Sequence, residues 1–192
     1  MTSHAVLPLT ADTWPAFAAL AEKHHGVWGG CWCCWFHAPV TVNREHSAEN
    51  RAFKQRLVTA GDAHAALVFD GDAAIGWCQY GTPDELPRIY HRKDYDSAPV
   101  AGAGYRITCF FVDRDHRRTG VADEALRGAL DLIARAGGGL VEAFPQDTAG
   151  RRVSSSFLCG GTRTLFERVG FGVERPIGRS GHYVMTRHVE AA

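Results

Sequence analysis

Apolar residues recur along this chain with two periods, and the change from one to the other outlines its elements. From Gly120 to Ala136 the period is helical. Val121, Ala125, Ala129 and Ile133 stand four apart with Leu126 and Leu130 beside them, which makes one apolar stripe. Ala65 to Phe69 and Ala73 to Tyr80 flank Asp70-Gly71-Asp72, a turn signal between two apolar runs, and predict a β-hairpin. Ala5 to Leu9, Tyr105 to Val112 and Leu140 to Phe144 are further candidate strands, with two more near Gly172 to Glu174 and His182 to Arg187. Thr10 or Asp12 can cap a helix running to about His24, in which Trp14, Phe17, Ala18 and Leu20 are the apolar positions. Asn43 to Ala60 reads as a charged helix stopped by Gly61, and another helix ends at Val169. His25 to Val42 is aromatic and glycine-rich, hence irregular; Gly81 to Gly104 is a long connection with one helical turn expected after Thr82-Pro83. A hairpin followed by strands that alternate with helices predicts a mixed α/β sheet covered by helices on both faces.

Length and charge narrow the picture. The chain has 192 residues, which fits a single domain over 1–192 with a core of its own. Its 21 Lys and Arg balance 21 Asp and Glu, so no global field favours nucleic acid or an anionic membrane, and any anion site must be local. No stretch approaches the roughly 20 apolar residues that cross a bilayer, and Met1 to Thr10 lacks the pattern of a secretory signal. Cys31, Cys33 and Cys34 crowd together while Cys78, Cys109 and Cys159 lie apart. That is not a spaced disulfide framework, so a reducing cytoplasm is the expected setting.

Such a local anion site is visible between Val112 and Asp123. The apolar triplet Phe110-Phe111-Val112 ends a strand, and Arg117-Arg118-Thr119-Gly120-Val121-Ala122 turns into the helix. A helix start leaves backbone N–H groups without intrahelical partners and carries partial positive charge, so it can hold a phosphate. Gly120 allows close backbone approach, and Arg117 and Arg118 add cationic donors. On these residues alone, an ordinary strand-turn-helix junction stands equally open.

Arg117-x-x-Gly120-x-Ala122 resembles the Arg/Gln-x-x-Gly-x-Gly/Ala signature of the GNAT superfamily of acyl-CoA-dependent N-acetyltransferases, and the triplet ending at Val112 stands at that family's usual distance before it. Leu165-Phe166-Glu167-Arg168-Val169-Gly170-Phe171 resembles the family's Leu-Tyr-Glu-Lys-x-Gly-Phe at the end of the last helix. The resemblance covers Tyr105 to Phe171 and implies an acetyl-CoA-binding core there, on a mixed, mostly antiparallel central sheet with helices on both faces. It makes 25–60 the variable acceptor side. The reaction it implies moves an acetyl group from acetyl-CoA to an amine, of a small molecule or a peptide, by direct attack in a ternary complex. Phe110, Phe111 and Val112 would pair their backbone with the pantetheine arm. Arg117 and the run Arg118, Thr119, Gly120, Val121, Ala122 and Asp123 would surround the pyrophosphate.

The amine must lose a proton to attack: with a pKa near ~10.4 only about one part in a thousand is neutral at pH 7. Glu142 lies on the strand facing the implied site, where family members place a general base; a solvated or arginine-paired Glu142 is the alternative. Asp113 and Tyr105 are weaker candidates. The family's general acid is the tyrosine matched here by Phe166, which has no proton to give, and its cofactor-touching asparagine is matched by Cys159. A thiol leaving group of pKa near ~8.5 makes the lost acid worth only about 2 kcal/mol at pH 7. Tyr183 or the run Ser154-Ser155-Ser156 could substitute.

Trp28-Gly29-Gly30-Cys31-Trp32-Cys33-Cys34-Trp35-Phe36-His37 is the other unusual segment. Cys31-x-x-Cys34 has knuckle spacing with His24, His25 and His37 nearby, but no second knuckle follows, so no metal is expected. The alternatives are a packed loop under the sheet or, as the resemblance implies, a cover over the acceptor pocket. The scattered histidines share no spacing, and Gly102-Ala103-Gly104 and Gly137-Gly138-Gly139 fit neither dinucleotide nor Walker patterns. An acetyltransferase is thus expected; a non-catalytic acyl-CoA sensor, a thiol or metal regulator through Cys31–Cys34, and a homodimer all stay open.

Overall fold

The structure, a computed structural model, describes residues 4–150, 158–179 and 181–192. Its strands are β1 (Ala5–Pro8), β2 (His64–Asp70), β3 (Ala73–Gly81), β4 (Ala103–Val112), β5 (Gly139–Ala143), β6 (Gly172–Ile177) and β7 (His182–Val189). The helices are α1 (Trp14–Lys23), α2 (Ser47–Ala60), α3 (Arg92–Tyr95), α4 (Val121–Arg135) and α5 (Arg163–Arg168), with a 3-10 turn at Arg114–His116. The strands form one seven-stranded sheet in the order β1-β2-β3-β4-β5-β7-β6. Only β4 and β5 run parallel, so the sheet is mixed and mostly antiparallel.

Both faces of the sheet are covered. On one, Trp14, Phe17 and Leu20 of α1 pack with Leu67, Trp77 and Phe111. On the other, Val121, Leu126 and Ile133 of α4 and Leu165 and Phe166 of α5 pack with Val68, Cys78 and Val141. Burial on both sides explains why β2 and β3 read as unbroken apolar runs rather than as alternation. Alternate residues of β2 divide between the layers: Ala65 and Leu67 face α1, Ala66 and Val68 face α4.

Several boundaries differ from the sequence reading. α2 starts at Ser47 because Asn43 caps the preceding turn, accepting from the His46 N–H at 2.9 Å. The expected turn after Thr82 is present, closed by Leu86 N–H to the Thr82 carbonyl at 3.0 Å, but α3 was not foreseen. β6 runs on through Pro176, which an edge strand tolerates because it need not donate to a ladder.

Two irregularities shape the site. β4 and β5 pair only as far as Ile107 and Ala143; β4 continues to Val112, so one edge of its end leaves β5 behind. Against β3 the register slips where Tyr80 faces Ile107 and Gln79 faces Cys109, leaving Thr108 as the extra residue of a bulge. That slip changes phase: Tyr105 and Ile107 face α4, whereas beyond the bulge Cys109 and Phe111 face α1.

Candidate active site

The end of β4, the turn after it and the start of α4 enclose a groove of about 410 Å3. Phe110, Phe111, Val112, Arg117, Arg118, Gly120, Val121, Ala122 and Asp123 all line it. Thr119, expected among them, does not; its hydroxyl donates to the His116 carbonyl at 2.6 Å and holds the turn together. Arg118 (φ 65°) and Gly120 (φ 98°) are left-handed on either side of Thr119, which curls the backbone inward at the helix start. The N–H groups of Asp123 and Glu124 bond to the Gly120 carbonyl, while those earlier in the first turn have no intrahelical acceptor. A Cβ on Gly120 would meet nothing nearer than a Glu124 carboxylate oxygen at 3.9 Å, so the space before this turn is open. The residues fit an anionic diphosphate.

The triplet before the turn divides. The Asp113 N–H bonds to the Ile75 carbonyl of β3, and alternation puts the Phe111 backbone on that side too. Phe110 and Val112 therefore face the open edge, but Phe111 does not. The Phe110 N–H on that edge already donates to the Cys159 carbonyl at 2.7 Å.

A second cavity, of about 260 Å3, lies on the α1 side of β4. Trp28, Trp35, Phe36, Val42 and Tyr90 form its walls, with the thiols of Cys31, Cys33, Cys109 and Cys159. Trp28 lines both spaces, and Cys109 of one is followed directly by Phe110 and Phe111 of the other, so the two meet across β4. The Cys33 and Cys109 sulfurs are 2.7 Å apart. Trp35 is held between the Tyr90 ring at 4.6 Å and the Arg88 guanidinium at 4.3 Å. Among the described residues, no group of three or more His, Cys, Asp or Glu has metal-holding geometry.

Glu142 is not the free base expected of it. It is fully buried, and both its oxygens are taken: Arg106 Nε donates to one at 2.7 Å, and the Tyr95 hydroxyl to the other at 2.6 Å. Arg106 is itself buried and donates onward to the Leu86 carbonyl. This is the arginine-paired alternative: the carboxylate is held in a buried ion pair and lines neither the groove nor the second cavity. Tyr183 lies under the Arg163 guanidinium at 4.9 Å and lines neither space, so the structure does not bring it to the groove. Asp113 binds Lys23 Nζ at 2.6 Å and the Asp115 N–H at 3.0 Å; burial opposes its ionisation, but these donors outweigh that and hold its carboxyl below the usual range. Tyr105 is partly buried against the α4 layer. Phe166 is fully buried, edge-on to Phe110 and Phe171, as an apolar ring requires. Ser154 to Ser156 lie outside the described residues.

Sequence reading gave no site role to several lining residues: Trp28, which joins the two spaces, His116 and Thr162, and Leu165 and Arg168 of the second motif. It also missed a buried polar chain behind the second cavity. Lys54, 1% exposed, donates to Gln79 Oε1 at 2.6 Å and sits 2.8 Å from His37 Nε2; Gln79 donates to Thr108. His37 Nδ1 lies 2.9 Å from the Glu85 carbonyl, an acceptor only, so Nδ1 carries the proton and Nε2 accepts from Lys54. Burial, and then the Lys54 charge, push His37 down to about 2, while burial lowers Lys54 itself.

The sequence model of the acetyltransferase (GNAT) family matches residues 27–153. No curated protein sequence matches the chain significantly. Among solved structures, an aminoglycoside 6'-acetyltransferase type Ii superposes with a TM-score of 0.59 at 10% identity, covering 98% of this chain and 99% of that one. A structure described as histone acetyltransferase HPA2 and related acetyltransferase, from Corynebacterium glutamicum, gives 0.57 at 18% identity, covering 100% and 98%. A PaiA N-acetyltransferase from Thermoplasma acidophilum in complex with coenzyme A gives 0.53 at 13%, covering 97% and 99%. At these identities the likeness establishes the fold.

Proposed function

The chain belongs to the GNAT acetyltransferase family, and from that premise we propose that it moves the acetyl group of acetyl-CoA to an amine, by direct attack within a ternary complex. The observation that carries this reading is the groove at the start of α4, where the expected residues other than Thr119 meet around open space. The first N–H groups of α4, with Arg117 and Arg118, bind the pyrophosphate. Phe110 and Val112 present the open edge of β4 to the pantetheine arm. Acetyl-CoA, when bound, supplies the activated thioester. The aromatic cavity behind Trp28 holds the acceptor with its nitrogen directed at the end of β4. With Phe166 in the family's tyrosine position, the thiolate leaves without a side-chain acid, which its modest basicity allows, and the proton given up by the attacking nitrogen ends on the released thiol.

Calorimetry with acetyl-CoA tests the donor site, using Gly120→Ala and Gly120→Glu as a pair. Both substitutions place a side chain at φ 98°, at a backbone cost of roughly 1–2 kcal/mol. Only glutamate adds bulk and negative charge before the phosphates. Gly120→Glu should weaken acetyl-CoA binding at least about tenfold beyond Gly120→Ala, given that a buried like-charge contact costs more than the 1.4 kcal/mol of one decade. Equal affinities would remove the pyrophosphate from this turn.

A further inference from the structure

The second cavity has a composition that selects its ligand. Four aromatic rings and Val42 wall it, and among the described residues no carboxylate lines it. Its thiols do not substitute for acids. Burial pushes Cys31 up to about 11 and raises Cys109 and Cys159. At Cys33, burial raises the thiol but the Cys109 contact and the Lys54 charge pull it down further; any charge there has its counter-ion built in at Lys54. Of its two tryptophans, Trp35 already carries the Arg88 guanidinium and the Tyr90 ring, and Trp28 meets Phe111 edge-on. An ammonium carried to the inner end, against the buried Cys33 and Cys109, would lose its hydration with no carboxylate in return. A neutral amine on a carbon skeleton loses little, and the neutral amine is the nucleophile. At about 260 Å3 the cavity is smaller than the roughly 300–1,000 Å3 of drug-sized sites, which suits a small acceptor.

We propose that the acceptor is a small primary amine on an apolar or aromatic skeleton, its carbon body against Trp28, Trp35 and Tyr90 and its nitrogen at Cys109–Phe110. This rests on the acetyl-transfer reading. The cavity is adjacent to the groove through Trp28, and on the acetyl-transfer reading an amine seated there is next to the space proposed for the donor.

The test compares kcat/KM by thiol release from acetyl-CoA with 2-phenylethylamine, hexylamine, spermidine and kanamycin. The first two should exceed the polycations at least about tenfold, as expected where a buried ammonium lacks a partner. A polycation that matches or exceeds them overturns the inference and leaves acetyl transfer standing. If none of the four releases thiol, calorimetry with acetyl-CoA decides the donor site, and titration of the tryptophan fluorescence with 2-phenylethylamine decides the cavity separately. Saturable quenching supports the apolar-amine site and its absence overturns it. Val42, on the rim and 40% exposed, accepts a carboxylate without burying it. Val42→Glu should lower kcat/KM for 2-phenylethylamine and raise it for spermidine; an unchanged ratio overturns the inference.

Discussion

At the scale of single residues, burial decides chemistry. Glu142 has the right residue type and the right strand for a base, yet Arg106 and Tyr95 turn it into half of a buried ion pair. Glu142→Gln should therefore behave as a folding lesion. Leaving a buried arginine without its carboxylate costs about 3 kcal/mol or more, a fall in Tm of roughly 10 °C for a chain of this size. A variant with wild-type Tm and lost turnover would return Glu142 to catalysis. His37 makes a second prediction. Its folded pKa is depressed to about 2 from an ordinary value near 6.5, so the unfolded chain binds its proton first as pH falls. The stability contributed is complete above the unfolded pKa and is lost progressively towards the folded one. Between pH 6.5 and 4 that loss is about 3 kcal/mol, at 1.36 kcal/mol per pH unit for one proton. Urea unfolding across this range checks it, with His37→Gln expected to flatten the slope by about one proton. An unchanged slope would mean that His37 is not the group responsible.

At the scale of elements, α4 is the part most fully written in the chain. Its stripe of Val121, Ala125, Leu126, Ala129 and Ile133 is buried as the spacing predicts. Gly128 belongs to that face for another reason: a Cβ there would come within 2.3 Å of Val6 Cγ1, so α4 lies close against the β1–β2 edge. Gly128→Val should cost about 1–3 kcal/mol through overpacking, measured by urea unfolding; undiminished stability would contradict that approach. The bulge at Thr108 shows the opposite case. No residue of Tyr105 to Val112 announces a slip, yet it turns Cys109 towards α1 and the aromatic cavity. Period-two patterning fails to register it because Tyr105, Ile107, Cys109 and Phe111 read as one unbroken alternate set, and nothing marks where that set changes face.

At the scale of the whole molecule, the groove and the aromatic cavity meet across one strand, each built from distant stretches of chain. Ligand binding to the folded state alone should stabilise the entire domain. Acetyl-CoA at 100 times its Kd should add about 2.7 kcal/mol, a rise in Tm of roughly 5–10 °C. No rise at saturating acetyl-CoA would count against the donor site. In the other direction, the loop 25–46 is tied to the first turn of α2. Cys34 Sγ donates to the Asn50 carbonyl, Asn50 bonds to the Gly30 and Thr41 carbonyls, and Trp32 Nε1 bonds to Ser47. Its cysteines and tryptophans serve packing and wall-building at once.

The sequence by itself determined the α/β class, the strand-turn-helix at Val112–Ala122 and the family, because these depend on local period, on a glycine at one turn and on short ordered motifs. The fate of Glu142, the exclusion of Tyr183, the division of Phe110 from Phe111 and the aromatic cavity were decided only by the tertiary structure. Each depends on which residues from remote segments share a low-dielectric interior: Arg106 and Tyr95 around a carboxylate, or Trp28, Trp35 and Tyr90 around a space. Sequence spacing carries no record of those partners, and in a buried site the partners set the chemistry.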